Sequence, residues 1–193
     1  TRMLIPRGGR DAAFEAARVA VGQVKKEQPK KDPPKKPGVA HVYDGGGLFS
    51  EKAIDRIKST FGGVQFDRET SLTIETVAAI PKDKQGDYNE DNKAKFFEQW
   101  AKDMAKGDKA TGVYVLVCRS PGYVVVICDK STRDRGFAAA NEQRLRDMLL
   151  AGFKEAAEAK KDGKPDEEVV KLRDKGLANA GEYVAGVLKG TPK

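Results

Sequence analysis

Asp108-Lys-Ala-Thr-Gly-Val-Tyr-Val-Leu-Val-Cys118-Arg-Ser-Pro-Gly-Tyr-Val-Val-Val-Ile-Cys-Asp129 is the stretch that decides the fold class. Two β-branched, apolar runs, Val113 to Cys118 and Tyr123 to Cys128, flank Ser120-Pro121-Gly122. Such runs around a Pro-Gly turn predict a β-hairpin. Nearly every position in both runs is apolar, which predicts cover on both faces of the hairpin.

Working outward, helical periodicity stands on both sides. Phe97, Trp100, Ala101 and Met104 recur at i, i+3, i+4 and i+7, predicting a helix over 92–106 that closes at Gly107. Earlier, Ser50 is a natural N-cap for a helix over 51–61, whose stripe is Ile54, Ile57 and Phe61 and whose end is Gly62-Gly63. Between these helices, Leu72, Ile74, Val77 and Ile80 lie among Thr and Ser, predicting a strand over 71–80 that Pro81 stops. After the hairpin come helices over 138–159, burying Leu145, Met148, Leu149 and Phe153, and over 166–188, burying Val169, Leu177 and Val184. The order is helix, strand, helix, hairpin, helix, helix. A helix joining two strands makes them parallel, with a right-handed crossover expected, and the third strand antiparallel. The fold class is α/β: a three-layer α/β/α arrangement in which helices cover a small mixed sheet.

The first 37 residues read differently. Arg10 to Lys26 has the pattern of a weak amphipathic helix; Lys25 to Pro37 is rich in Lys and Pro and free of Val. We therefore expect a basic N-terminal segment and linker over 1–37 and a folded domain over 38–190. Much of the net charge of +7 sits in that linker. A basic spacer suits an anionic membrane surface. No aromatic side chain interleaves with its lysines, so a base-stacking platform for specific nucleic-acid binding is lacking.

The inventory of chemistry is short. His41 is the only histidine, which excludes a multi-His zinc site. Cys118 and Cys128 are the only cysteines, and every plausible hairpin register keeps them too far apart, or on opposite faces, to bond. The acidic run Asp87 to Asn92, with Glu98 beyond it, has calcium-loop spacing, but it lacks the central glycine and the preceding helix. Gly45-Gly46-Gly47 precedes a helix as phosphate loops do, but follows Asp44 and lacks a Lys-Ser/Thr. Asp108 and Asp129 bracket the antiparallel hairpin and therefore share one sheet edge. Clustered oxygens of that kind suit Ca²⁺ or Mg²⁺, and solvated loop carboxylates are the alternative.

The order of short motifs resembles the TPM-domain family, which includes thylakoid-lumen phosphatase-like proteins and bacterial exported or membrane-anchored proteins. The similar segments are Val42-Tyr43-Asp44 with Leu48-Phe49-Ser50, Leu72 to Val77, Phe97 to Trp100, Gly112 to Val117, the second hairpin strand and Gly176-Leu177. The resemblance implies a domain outside the cytoplasm, associated with a membrane, with divalent-metal binding or acid phosphatase activity. It places the family aspartate at Asp44, which makes Asp44, Asp108 and Asp129 the candidate metal ligands. A simple alternating topology would start the first helix at the far sheet edge, so Asp44 joins the other two only if the loops at 45–47 and 62–68 carry it across. Two positions depart from the pattern. Ala110-Thr111 stand where the family has an acidic or amide pair, leaving Asp108 as the nearest substitute, and Asp129 to Gly136 replace a glycine-rich turn. The function expected is a non-enzymatic binding or scaffolding domain with a weak Ca²⁺ or Mg²⁺ site, acting on a protein partner or membrane surface. A metal-assisted phosphatase is the alternative.

Overall fold

A computed structural model describes residues 34–189; the expected helix over Arg10 to Lys26 lies outside them. Four strands form the main sheet: β2 (Val39–Asp44), β4 (Ser71–Ala79), β5 (Val113–Ser120) and β6 (Tyr123–Cys128). They lie in the order β2-β4-β5-β6, with β6 alone antiparallel to its neighbour. A two-residue pair, β1 (Lys36–Pro37) and β3 (Gln65–Phe66), forms a second small sheet. The helices are α1 (Glu51–Gly62), α2 (Lys93–Gly107), α3 (Lys130–Asp134), α4 (Ala139–Lys161) and α5 (Asp166–Lys189).

The architecture is the expected mixed α/β sheet with helices packed against it. Several details differ from the expectation, among them a short helix at Lys130–Asp134 where none was expected. Val39–Asp44 is a strand that the sequence reading left out. The helix over 93–107 includes Gly107 and is capped by Asp108. Lys36 and Pro37, expected in the linker, pair with Phe66 and Gln65. Proline is tolerated there because this ribbon is all edge and needs no inner donor at position 37.

Side-chain alternation splits the sheet into two faces. Leu72, Ile74, Val113, Val115, Val124 and Val126 point to one, where α1, α4 and α5 cover them with Ile57, Leu149 and Val184. Tyr114, Leu116 and Cys118 point to the other, where α2 brings Phe97, Trp100 and Ala101. Both faces of the hairpin are thus covered, as its unbroken apolar runs require. The crossovers β2-α1-β4 and β4-α2-β5 step the same way across the sheet with their helices on opposite faces. They therefore have opposite hands, and the right-handed rule holds for only one of them. Between α4 and α5, a Cβ added at Gly152 would meet the Gly176 Cα at 3.2 Å, so this pair of glycines sets how closely the two helices approach.

Candidate functional site

The strand directions decide which of the three aspartates meet. Asp108 caps α2 with its backbone N–H on the Met104 carbonyl (2.9 Å), just before β5. Asp129 follows β6, and Cys128 pairs with Val113, so both residues lie at the edge where the parallel strands begin. Their side chains do different work. One Asp129 carboxylate oxygen accepts from the Thr132 N–H at 2.7 Å as the N-cap of α3, and the other accepts from the Gly112 N–H. Burial pushes the Asp129 carboxyl up, but these hydrogen bonds, with the nearby Arg135 guanidinium, carry it below the usual range. Asp108 is exposed, and its carboxylate has no hydrogen bond or ion pair among the described residues.

Asp44 lies at the opposite edge. It ends β2 in register with Thr76, whereas Val39 at the strand's start is in register with Ser71. Five strand steps of ~3.3 Å put it roughly 16 Å from the other end. Its carboxylate accepts from Leu48 N–H (3.0 Å), Phe49 N–H (2.9 Å) and the Thr76 hydroxyl. The glycines that follow fit this turn: Gly46 N–H donates to the Thr76 hydroxyl oxygen at 2.9 Å, and Gly47 takes a left-handed φ of +61°. Asp44 therefore organises the turn that leads to the Ser50 N-cap of α1. The three aspartates do not converge. Among the described residues, no group of three or more His, Cys, Asp or Glu side chains is arranged to hold a metal ion.

Sequence reasoning missed a third region, an open shelf on the α2 face of the sheet. α2 packs over β5 and β6, and on that face β2 stays exposed at Val39, His41 and Tyr43, while Ser71 and Thr73 of β4 are buried. Its cross-strand rows are His41–Thr73–Tyr114 and Tyr43–Glu75–Leu116. Tyr43 is 52% exposed and Val39 43%, two of only three large apolar side chains among the described residues with comparable exposure. The His41 and Tyr43 rings stack at 6.2 Å. A groove of about 260 Å³ begins here, lined by His41, Tyr43, Thr73, Glu69 and Asp108. On the same face of the sheet Tyr114 donates to Glu75. Burial raises the Glu75 carboxyl, with Asp108 adding to the rise while the Tyr114 hydrogen bond opposes it. The signal that would have revealed the shelf is the alternation of Val39, His41 and Tyr43 with Ala40 and Val42.

The thiols are not poised as nucleophiles. Cys118 and Cys128 are unpaired, and the Cys118–Tyr123 and Val113–Cys128 register puts them on opposite faces. Cys118 donates to the Ser120 carbonyl (2.9 Å) and Cys128 to the Glu142 carboxylate (3.1 Å). Burial first, then Glu142, pushes the Cys128 thiol up to about 12. Its neutral form is favoured by the fold. The resulting stability is present below the unfolded pKa of ~8.5 and is lost as pH rises from there toward the folded value. Intact mass without reductant should show both thiols free, and native alkylation at pH 8 should be at least tenfold slower than in urea. Equal rates would mean that Cys128 is not held in this environment.

No protein-family model, curated protein or solved structure matches the chain.

Proposed function

We propose that this chain is a TPM-like domain that acts outside the cytoplasm, at a membrane, as a non-enzymatic binding and scaffolding domain for a protein partner. Its docking surface is the open shelf and the outer edge of β2. The observation that carries this reading is the unprotected edge strand itself. Val39–Asp44 contains no Pro, Lys or Arg, pairs on one side only among the described residues, and exposes Val39 and Tyr43 beside it. Edges left without such blocking residues accept an added strand, with main-chain hydrogen bonds for affinity and alternate side chains for selectivity. Among the described residues no helix is long and apolar enough to cross a membrane, so membrane association would come through a partner, a surface or another part of the protein.

The phosphatase alternative has less support. It needs Asp44 or Asp108 as nucleophile; the Asp44 carboxylate already accepts two backbone N–H groups and a hydroxyl, and the Asp108 carboxylate has no hydrogen bond to a histidine or cysteine base among the described residues. Any Ca²⁺ or Mg²⁺ in this proposal would be held weakly, by the free Asp108 carboxylate at the groove.

Photo-crosslinking in the source cells tests the reading. A benzophenone side chain at position 39, 41 or 43 should give a discrete protein adduct, while one at the exposed Glu158 of α4 should not. Equal labelling at both places, or none at β2, overturns the docking surface. Purified protein should hydrolyse p-nitrophenyl phosphate no faster than its Asp44→Asn variant. A clear loss of turnover in that variant would transfer support to the phosphatase.

A further inference from the structure

A second, separate cavity lies at the other end of the sheet, where the parallel strands finish. It is open to solvent on one side and has a volume of about 390 Å³. Its walls are apolar: Leu48 from the turn after β2, Val117 from β5, Val124 from β6, and Leu150, Phe153 and Ala157 from α4. Leu150, Phe153, Lys154 and Ala157 are spaced i, i+3, i+4 and i+7, so one stripe of α4 forms a whole wall. Leu150 is 37% exposed, the third of the large apolar side chains left open to solvent.

The charges around this cavity have one sign. Arg119, Lys154 and Arg173 line it, and no Asp or Glu does. Arg119 is held in place by donating to the Gly46 carbonyl at 3.1 Å. Lys154 and Arg173 have no ion pair or hydrogen bond among the described residues. Some helix cations do pair with carboxylates, such as Lys171 with Glu167 and Lys102 with Glu98. Arg119, Lys154 and Arg173 thus give these apolar walls a positive lining with no carboxylate in it. The cavity lies at the carboxyl end of β5, where the hairpin turns into β6.

We propose that this cavity binds a single-chain amphiphilic anion: an acyl chain seated between the hairpin and α4, with its carboxylate on Arg119, Lys154 and Arg173. The volume is near the lower end of the ~300–1,000 Å³ usual for ligand pockets, which suits one medium-length chain and not the two chains of a phospholipid. Apolar walls select the chain by area removed from water, and the cations select the sign of the head group. The site shares no residue with the β2 shelf, so each stands or falls alone.

Isothermal titration of the full chain with hexanoate, octanoate and decanoate, below their micellar range, tests it. Affinity should rise roughly threefold to fourfold per methylene. Decyltrimethylammonium and octyl glucoside, with cationic and neutral heads, should bind at least tenfold more weakly than decanoate. Lys154→Ala with Arg173→Ala should weaken decanoate roughly tenfold. Ala157→Phe, at an exposed position on the wall, should fill the cavity and abolish binding while thermal melting stays cooperative. Equal binding of the cationic amphiphile, no heat with decanoate up to about 1 mM, or unchanged affinity in Ala157→Phe overturns the proposal. Binding seen only with anionic phospholipid vesicles would assign the cations to a membrane surface and also overturns it.

Discussion

Alanine at position 112 should cost more than about 4 kcal/mol of stability and leave little folded protein at 37 °C. Gly112 has φ +91°, a conformation that L side chains rarely adopt. A Cβ there would lie 2.0 Å from the Ser71 carbonyl oxygen and 2.9 Å from its carbonyl carbon, and both are backbone atoms of the neighbouring strand. Neither can move without breaking the β4–β5 pairing that begins at Leu72 and Val113. The same residue ties the sheet edge to α3: its N–H donates to the Asp129 carboxylate, and its carbonyl accepts the Asp129 N–H at 3.1 Å. Strain, clash and lost hydrogen bonds therefore act together. At ~2–4 °C per kcal/mol for a chain of this size, the melting temperature should fall by at least ~8 °C. Alanine at Gly86, which has open space around its Cβ and no positive φ, is the control and should shift it little. A melting temperature for Gly112→Ala within ~3 °C of the parent would show that the strand edge relaxes, contrary to this geometry.

That glycine also illustrates what was legible beforehand. Periodicity placed the four long helices because each has a stripe long enough to repeat: Phe97, Trp100 and Ala101 in α2 are buried as their spacing requires, as are Leu145 and Leu149 in α4. The hairpin was legible because its signal is local. The strand Val39–Asp44 was not read, because its alternation spans only six residues and puts His41 and Tyr43 on the exposed face. Missing that strand meant missing the parallel pairing that carries Asp44 to the far edge. Asp108 and Asp129 do share an edge, which antiparallel pairing alone dictates. Whether a carboxylate stays available is a different matter, set by the nearest unpaired N–H groups. Spacing cannot show that Asp129 serves Gly112 and Thr132 while Asp108 serves no one. The cation-rimmed cavity was hidden for a related reason: its lining comes from the turn after β2, the hairpin, α4 and α5, which only the tertiary fold brings together.

Asp44→Ala should destabilise the domain by about 2–4 kcal/mol, the second-largest effect expected. The charged acceptor for Leu48 N–H and Phe49 N–H disappears, and the Thr76 hydroxyl loses its acceptor. Leu48 and Phe49 are themselves buried, so water reaches these orphaned donors poorly and their desolvation remains uncompensated. The turn then loses its grip on Ser50, whose side chain caps α1 through Ala53 N–H (3.2 Å) and donates to Asp174 of α5 at 2.6 Å. The loss should therefore spread as faster hydrogen exchange at the first turn of α1, with β5 and β6 unaffected. Asp44→Asn keeps one carbonyl oxygen and should cost about half as much. This pair of variants separates structure from chemistry. A structural Asp44 predicts that Asn outperforms Ala in urea melts and that neither variant differs from the parent in phosphate-ester hydrolysis. If both variants melt like the parent, the carboxylate does not hold this turn, and Asp44 becomes available again as a ligand or nucleophile.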